Sequence, residues 1–175
     1  MEYAFTLTYK LGPANVLDAD ALMQRLGEAG CTDAMVGLGV AGQVGLDFIR
    51  EAANAQDALL SALADVRQAL PDAAFIEASP DFVGLSDVAL LLGLSRQNIR
   101  KLWLNHADAF PPPVHSGTSS VWHLAQVLQF LIDKHYTVAR PVHEVAGVAM
   151  RVNIARQKSM VPDAELQALQ QHLAI

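Results

Sequence analysis

The run over residues 85–102, LSDVALLLGLSRQNIRKL, most narrows what this chain can become. It reads as two short helices, 87–92 and 96–104, joined by a tight turn. Ser86 and Ser95 stand where helix caps belong, because a serine hydroxyl accepts from the free amides of a first turn. Gly93 supplies the left-handed backbone that a residue with a β-carbon enters only at a steric cost. Val88, Leu92, Leu94, Ile99 and Leu102 hold the pair together, and Ala89 is small where the helices would cross closely.

Charge separates this stretch from the residues before it. Residues 1–84 carry 4 basic and 12 acidic side chains, residues 85–140 carry 5 and 3, and residues 141–175 carry 3 of each. The net −6 of the chain therefore hides a −8 segment followed by a +2 segment. Phosphate repels the first and tolerates the second. All six histidines also follow residue 84.

The acidic segment alternates in character. Tyr3, Phe5, Leu7 and Tyr9 share one side of a strand that Gly12-Pro13 ends, the period of a half-buried strand. Residues 18–29 read as a helix with Leu22 and Leu26 inward, Asp18 or Asp20 near its cap and Gly30 as terminator. Residues 34–50 read as a hairpin: Met35, Val36 and Leu38 on one arm, Val44, Leu46 and Phe48 on the other. Asn54 caps a helix over 55–70 with the stripe Leu59, Leu63, Val66 and Leu70, and Asp57 suits its first turn. Residues 73–78 make a last strand. The order β-α-β-β-α-β predicts an α+β fold class with an N-terminal ferredoxin-like sandwich over residues 1–82.

After the helix pair, Phe110-Pro111-Pro112-Pro113-Val114 is stiff and extended. Its prolines lack amide protons, so it is at most an edge strand. Residues 115–120 turn around Gly117, Val121-Trp122 returns, and a helix over 124–135 carries Val127, Leu128, Leu131 and Ile132. Arg140-Pro141 reads as a joint before a helix over 142–158 with Val145, Ala149, Val152 and Arg156 along one edge. Gly147 weakens that helix by about 1 kcal/mol relative to alanine. Pro162 opens a last helix with Asp163 and Glu165 in its first turn and the narrow stripe Leu166, Leu169 and Leu173.

Residues 83–136 resemble the winged helix-turn-helix of the MerR, AlpA and phage excisionase superfamily. The resemblance rests on Leu85-Ser86-Asp87-Val88-Ala89, Leu92-Gly93-Leu94-Ser95, Ile99, the Phe110-Pro111 pair that opens the wing, and Trp122 that closes it. It covers about a third of the chain. It implies a prokaryotic, cytoplasmic regulator that binds double-stranded DNA: a repressor, a mobile-element control protein or an antitoxin-like protein. In this chain some 80 residues precede the module, the C-terminal helices are short, and paired cysteines for metal sensing are lacking. In such motifs the second helix enters the major groove with its early residues toward the bases. Those are Arg96, Gln97 and Asn98, then Arg100 one turn on. Arginine grips guanine, and glutamine or asparagine grips adenine, through paired hydrogen bonds. Ser95 and Lys101 suit phosphate. His115, Ser116, Thr118 and Ser119 of the wing suit the backbone or minor groove. A +2 module calls for a homodimer, which doubles its phosphate contacts. The C-terminal segment 137–175 or the N-terminal sheet would supply the contact.

Other signals point to structure. Gly37-Leu38-Gly39-Val40-Ala41-Gly42 matches G-x-G-x-x-G, but the residues after it alternate like a strand, whereas the dinucleotide motif opens a helix. A glycine-rich hairpin is the reading. The histidines form no tight pair and Cys31 is the only cysteine, so no metal or cofactor is expected. No nucleophile-elbow motif is present, so an enzyme is not expected. No apolar run reaches the ~20 residues of a membrane span, and the N-terminus lacks the basic start of a signal peptide. Residues 1–82 are expected to sense a ligand or dock a protein partner. The competing reading is an antitoxin-like or adaptor module whose acidic segment binds a basic protein.

Overall fold

The computed structural model describes residues 1–12 and 18–173. Pro13, expected to help end the first strand, lies outside them. Among the described residues the chain is a mixed α+β protein with seven helices, a four-stranded antiparallel sheet and a two-stranded pairing. Its first six elements are β1 (Glu2–Lys10), α1 (Ala19–Glu28), β2 (Ala34–Gly37), β3 (Gln43–Glu51), α2 (Ala55–Ala69) and β4 (Ala74–Ser79). The sheet order is β2-β3-β1-β4, and each neighbouring pair is antiparallel. The period-2 alternation buries Tyr3, Phe5, Leu7 and Tyr9 of β1 with Val44, Leu46 and Phe48 of β3. Leu22 and Leu26 of α1 and Leu59, Ala62 and Val66 of α2 join this first core. Asp18 and Asn54 cap the two helices, accepting from the amides of Ala21 and Asp57. The glycine-rich run lies in the β2–β3 hairpin, where Gly37 faces Gly45. Met35, on the first arm of that hairpin, is exposed.

Arg50 continues the inward row of β3 and is buried. A guanidinium there needs partners on every side, and it has them. Its Nε and Nη2 donate to the two carboxylate oxygens of Asp33 at 2.8 and 2.9 Å. Its Nη1 donates to Asp65 at 2.7 Å and to Ser61 Oγ at 3.0 Å. Nη2 also reaches the Gly30 carbonyl at 3.3 Å. One side chain thus ties β3 to the α1–β2 connection and to α2. Cys31 lies in the same region, buried. Burial, then the nearby Asp65 carboxylate, push its thiol up to about 11 from an ordinary 9.0. Thiolate is the reactive form, so alkylation of Cys31 at pH 8 is expected to run at least about 100-fold slower in the folded protein than in urea. Equal rates, followed by mass spectrometry, would contradict this placement.

The second half contains β5 (Phe82–Val83), α3 (Leu85–Leu91), α4 (Arg96–Asn105), β6 (Trp122–His123) and α5 (Leu124–Asp133). β5 and β6 pair antiparallel. Their core gathers Val88, Ala89, Ile99, Phe110, Trp122, Val127, Leu128, Phe130 and Leu131. Three features differ from the sequence expectation. Ser86 does not cap α3: Gly84 holds the cap position, and its amide donates back to Asp87 Oδ2 at 2.7 Å. Residues 110–114 form no strand. Only the Val114 and His115 amides reach the Val121 carbonyl, because the prolines have no amides to offer. In α5, Phe130 is buried with Val127, Leu128 and Leu131, whereas Ile132 is exposed.

Just past the end of α5 lies His135, whose φ of 64° is left-handed, while the Tyr136 amide closes back on the Leu131 carbonyl at 2.9 Å. Glycine holds this position without a β-carbon clash. His135→Gly is therefore expected to raise unfolding free energy by about 1 kcal/mol. A urea titration showing no gain, or a loss, would count against this.

The C-terminal segment divides in two. α6 (Arg140–Lys158) begins at Arg140, two residues before the expected start, and belongs to both cores. Val145, Val148 and Ala149 enter the first core, and Ala146 enters the second. Asn153 lies among these apolar neighbours, almost fully buried. It completes the edge of the sheet: its Oδ1 accepts the Ala78 amide and its Nδ2 donates to the Ala78 carbonyl, both at 2.8 Å. β4 is an edge strand, so these groups face away from β1 and have no strand to meet. Nδ2 also donates to Asp81 Oδ2 at 2.8 Å, and His123 Nδ1 meets the other Asp81 oxygen at 2.7 Å. The buried Asp81 carboxylate thus joins sheet edge, α6 and the start of α5. α7 (Asp163–Leu173), by contrast, has no buried residue.

Candidate nucleic-acid interface

Helix α4 starts where its sequence says it should. Ser95 Oγ accepts the Asn98 amide at 3.2 Å, leaving its own proton to donate elsewhere. Gly93, at φ 64°, makes the bend between α3 and α4, and the Leu94 amide closes on the Ala89 carbonyl at 2.8 Å. Ile99 anchors α4 in the second core, so the residues on its far side face solvent.

An aromatic chain fixes α4 against the 110–121 segment. Trp103 meets Trp122 edge to face at 5.4 Å, Trp122 meets Phe110 at 6.0 Å, and Phe110 meets Phe130 at 5.0 Å. The Trp122 indole N–H donates to the Pro111 carbonyl at 3.1 Å. A segment with three prolines cannot join a ladder, and this bond and ring packing hold it instead.

Ser95, Arg96, Gln97, Asn98, Arg100 and Lys101 are all exposed, as are His115, Ser116, Thr118 and Ser119. They do not form one patch. At 3.6 residues per turn, Arg96 and Arg100 lie one above the other. They line a cleft of about 620 Å³ together with Trp103, Thr118, Ser119 and Ser120. Asn98 and Lys101 line a different depression with Asn105 and Tyr136. Gln97 points away from Ile99, between the two. His115 and Ser116 fall outside the cleft lining. Asp87 is the one acid in that lining, and it is engaged at the Gly84 amide. Among the described residues Arg96, Arg100 and Lys101 enter no ion pair, so their charge is uncommitted.

The sequence reading missed Trp103 and Ser120 in the cleft and the exposed Leu104 on the outer face of α4. Trp103 was legible in principle: it stands three residues after Arg100 and seven after Arg96, the spacing of one helix stripe. No group of three or more metal-binding side chains gathers among the described residues, nor is any described helix long and apolar enough to cross a membrane. No protein-family model matches the chain, and no curated protein does.

Proposed function

We propose that this chain is a sequence-specific regulator of transcription that binds double-stranded DNA. In this reading residues 1–82 are a ferredoxin-like sandwich and residues 83–136 a winged helix-turn-helix. α4 enters the major groove and the 110–122 segment lies against the backbone or minor groove. The observation that carries the reading is one cleft lined both by two uncommitted arginines and by Thr118, Ser119 and Ser120. A cationic cleft beside an exposed polar helix face suits a phosphate strand and the base edges next to it. Gln97 and Arg100 are then the base readers, Arg96 with Thr118 and Ser119 the backbone clamp, and Asn98 with Lys101 the contacts on the other flank. The small basic excess favours a dimer on two half-sites.

Selection of a binding sequence from a random duplex library, followed by titration, tests this. Arg100→Ala is expected to cost about 1–3 kcal/mol and relax preference at one base position. Thr118→Ala is expected to weaken all sequences alike. Failure of the wild-type chain to enrich any sequence at low salt would sink the proposal. The acidic excess of residues 1–84 supports a second reading, a module that binds a basic protein. Capture of such a partner by a chain that ignores DNA would favour it.

A further inference from the structure

Among the described residues two apolar surfaces lack partners. One is a groove of about 320 Å³ in the first half, where α2, β4 and α6 meet, lined by Leu63, Leu70, Phe75 and Val152. Arg67 stands at the same groove, exposed, and makes no ion pair among the described residues. The other surface is α7. Its leucines recur at spacings of three and four, and Leu169 and Leu173 stay 51% and 66% exposed. Asp163 and Glu165 sit beside the stripe in the first turn, exposed and unpaired among the described residues.

We infer that the occupant of this groove is α7 of a second copy of the chain. The surfaces are complementary in character and sign: an exposed leucine stripe matches an apolar groove, and an acidic first turn matches an arginine that makes no ion pair among the described residues. Among the described residues α7 does not fill the groove, since it buries none of its residues. A twofold axis satisfies both at once, because each copy gives a helix and receives one, which doubles the contact. The exchange places the dimer contact on the first half and α7, and leaves the α4 cleft of each copy free. This inference does not depend on what α4 binds.

Sedimentation equilibrium of the full chain from about 1 μM to 1 mM tests it. The wild-type mass is expected to rise toward twice that of one chain. Leu169→Glu and Arg67→Glu, both at exposed positions, should each weaken dimerisation at least 10-fold with an unchanged circular dichroism spectrum. Adding Asp163→Arg and Glu165→Arg to Arg67→Glu should restore it, an outcome that a nonspecific loss would not give. A chain that stays monomeric across the range overturns the inference. So does a dimer that tolerates Leu169→Glu, or protection of α7 amides from exchange in a monomer.

Discussion

Asn153→Leu is expected to cost about 3–5 kcal/mol of unfolding free energy, although leucine suits the apolar setting. The substitution removes one acceptor and two donated bonds at once. The Ala78 amide, the Ala78 carbonyl and Asp81 Oδ2 are left unpaired. A buried group without its partner costs about 1–3 kcal/mol, and more when it is charged. Leucine also keeps water from filling the place of the lost amide. Urea titration should show the drop in midpoint with little change in slope. Both tryptophans lie in the second half of the chain, so fluorescence follows that half while far-ultraviolet circular dichroism follows the whole. The two transitions are expected to coincide, because the network ties the sheet edge to α5. A loss under about 1 kcal/mol would show that Asn153 does not hold the edge.

Arg50→Met is expected to cost about 2–4 kcal/mol, the second large effect. Breaking a buried ion pair from one side leaves the other charge without compensation, typically at about 3–5 kcal/mol. The cost is lower in this protein because the Asp33 and Asp65 side chains keep 29% and 28% of their exposure. The loss should depend on pH with a definite sign. The Arg50 hydrogen bonds hold Asp33 below its ordinary 3.8 in the folded state. That contribution is present above about pH 4 and disappears as pH falls through the folded value. The stability gap between wild type and Arg50→Met should therefore narrow below pH 4 and stay flat between pH 5 and 8. A gap that widens in acid would mean that Asp33 gains nothing from Arg50. Arg50→Lys should recover only part of the loss, since an ammonium cannot span Asp33 and Asp65 together.

These two residues also mark where the sequence stops being legible. The strands and helices of the first half follow from periodicity, whereas the two-residue β5 is too short to show one, and Asp18, Asn54 and Ser95 cap helices as their side chains dictate. Local chemistry decides such features, so a single chain displays them. Arg50 stands in register with Val44, Leu46 and Phe48, but its partners come from two other places in the chain, the α1–β2 connection and α2. Asn153 gave less: a polar residue near an apolar stripe usually faces water, and only the exposed edge of β4 makes it indispensable. For the candidate interface, the sequence named the polar residues of α4 but not their division. Facing the cleft or turning from it depends on where Ile99 anchors the helix and where Trp122 fixes the 110–121 segment. Ser86 illustrates a local rule beaten by a neighbour, since Asp87 reaches back to Gly84 and starts the helix early.

Helix α6 has a bearing on how such a chain can be cut, fused or exchanged. Many two-part proteins behave as beads on a string, and either bead survives transplantation. Here the parts share a wall. A fragment ending near residue 136 would keep every strand yet lose Val145, Val148 and Ala149 from one interior and Ala146 from the other. Neither half is a free-standing cassette, so a fragment that is to keep both interiors must carry the chain through Lys158.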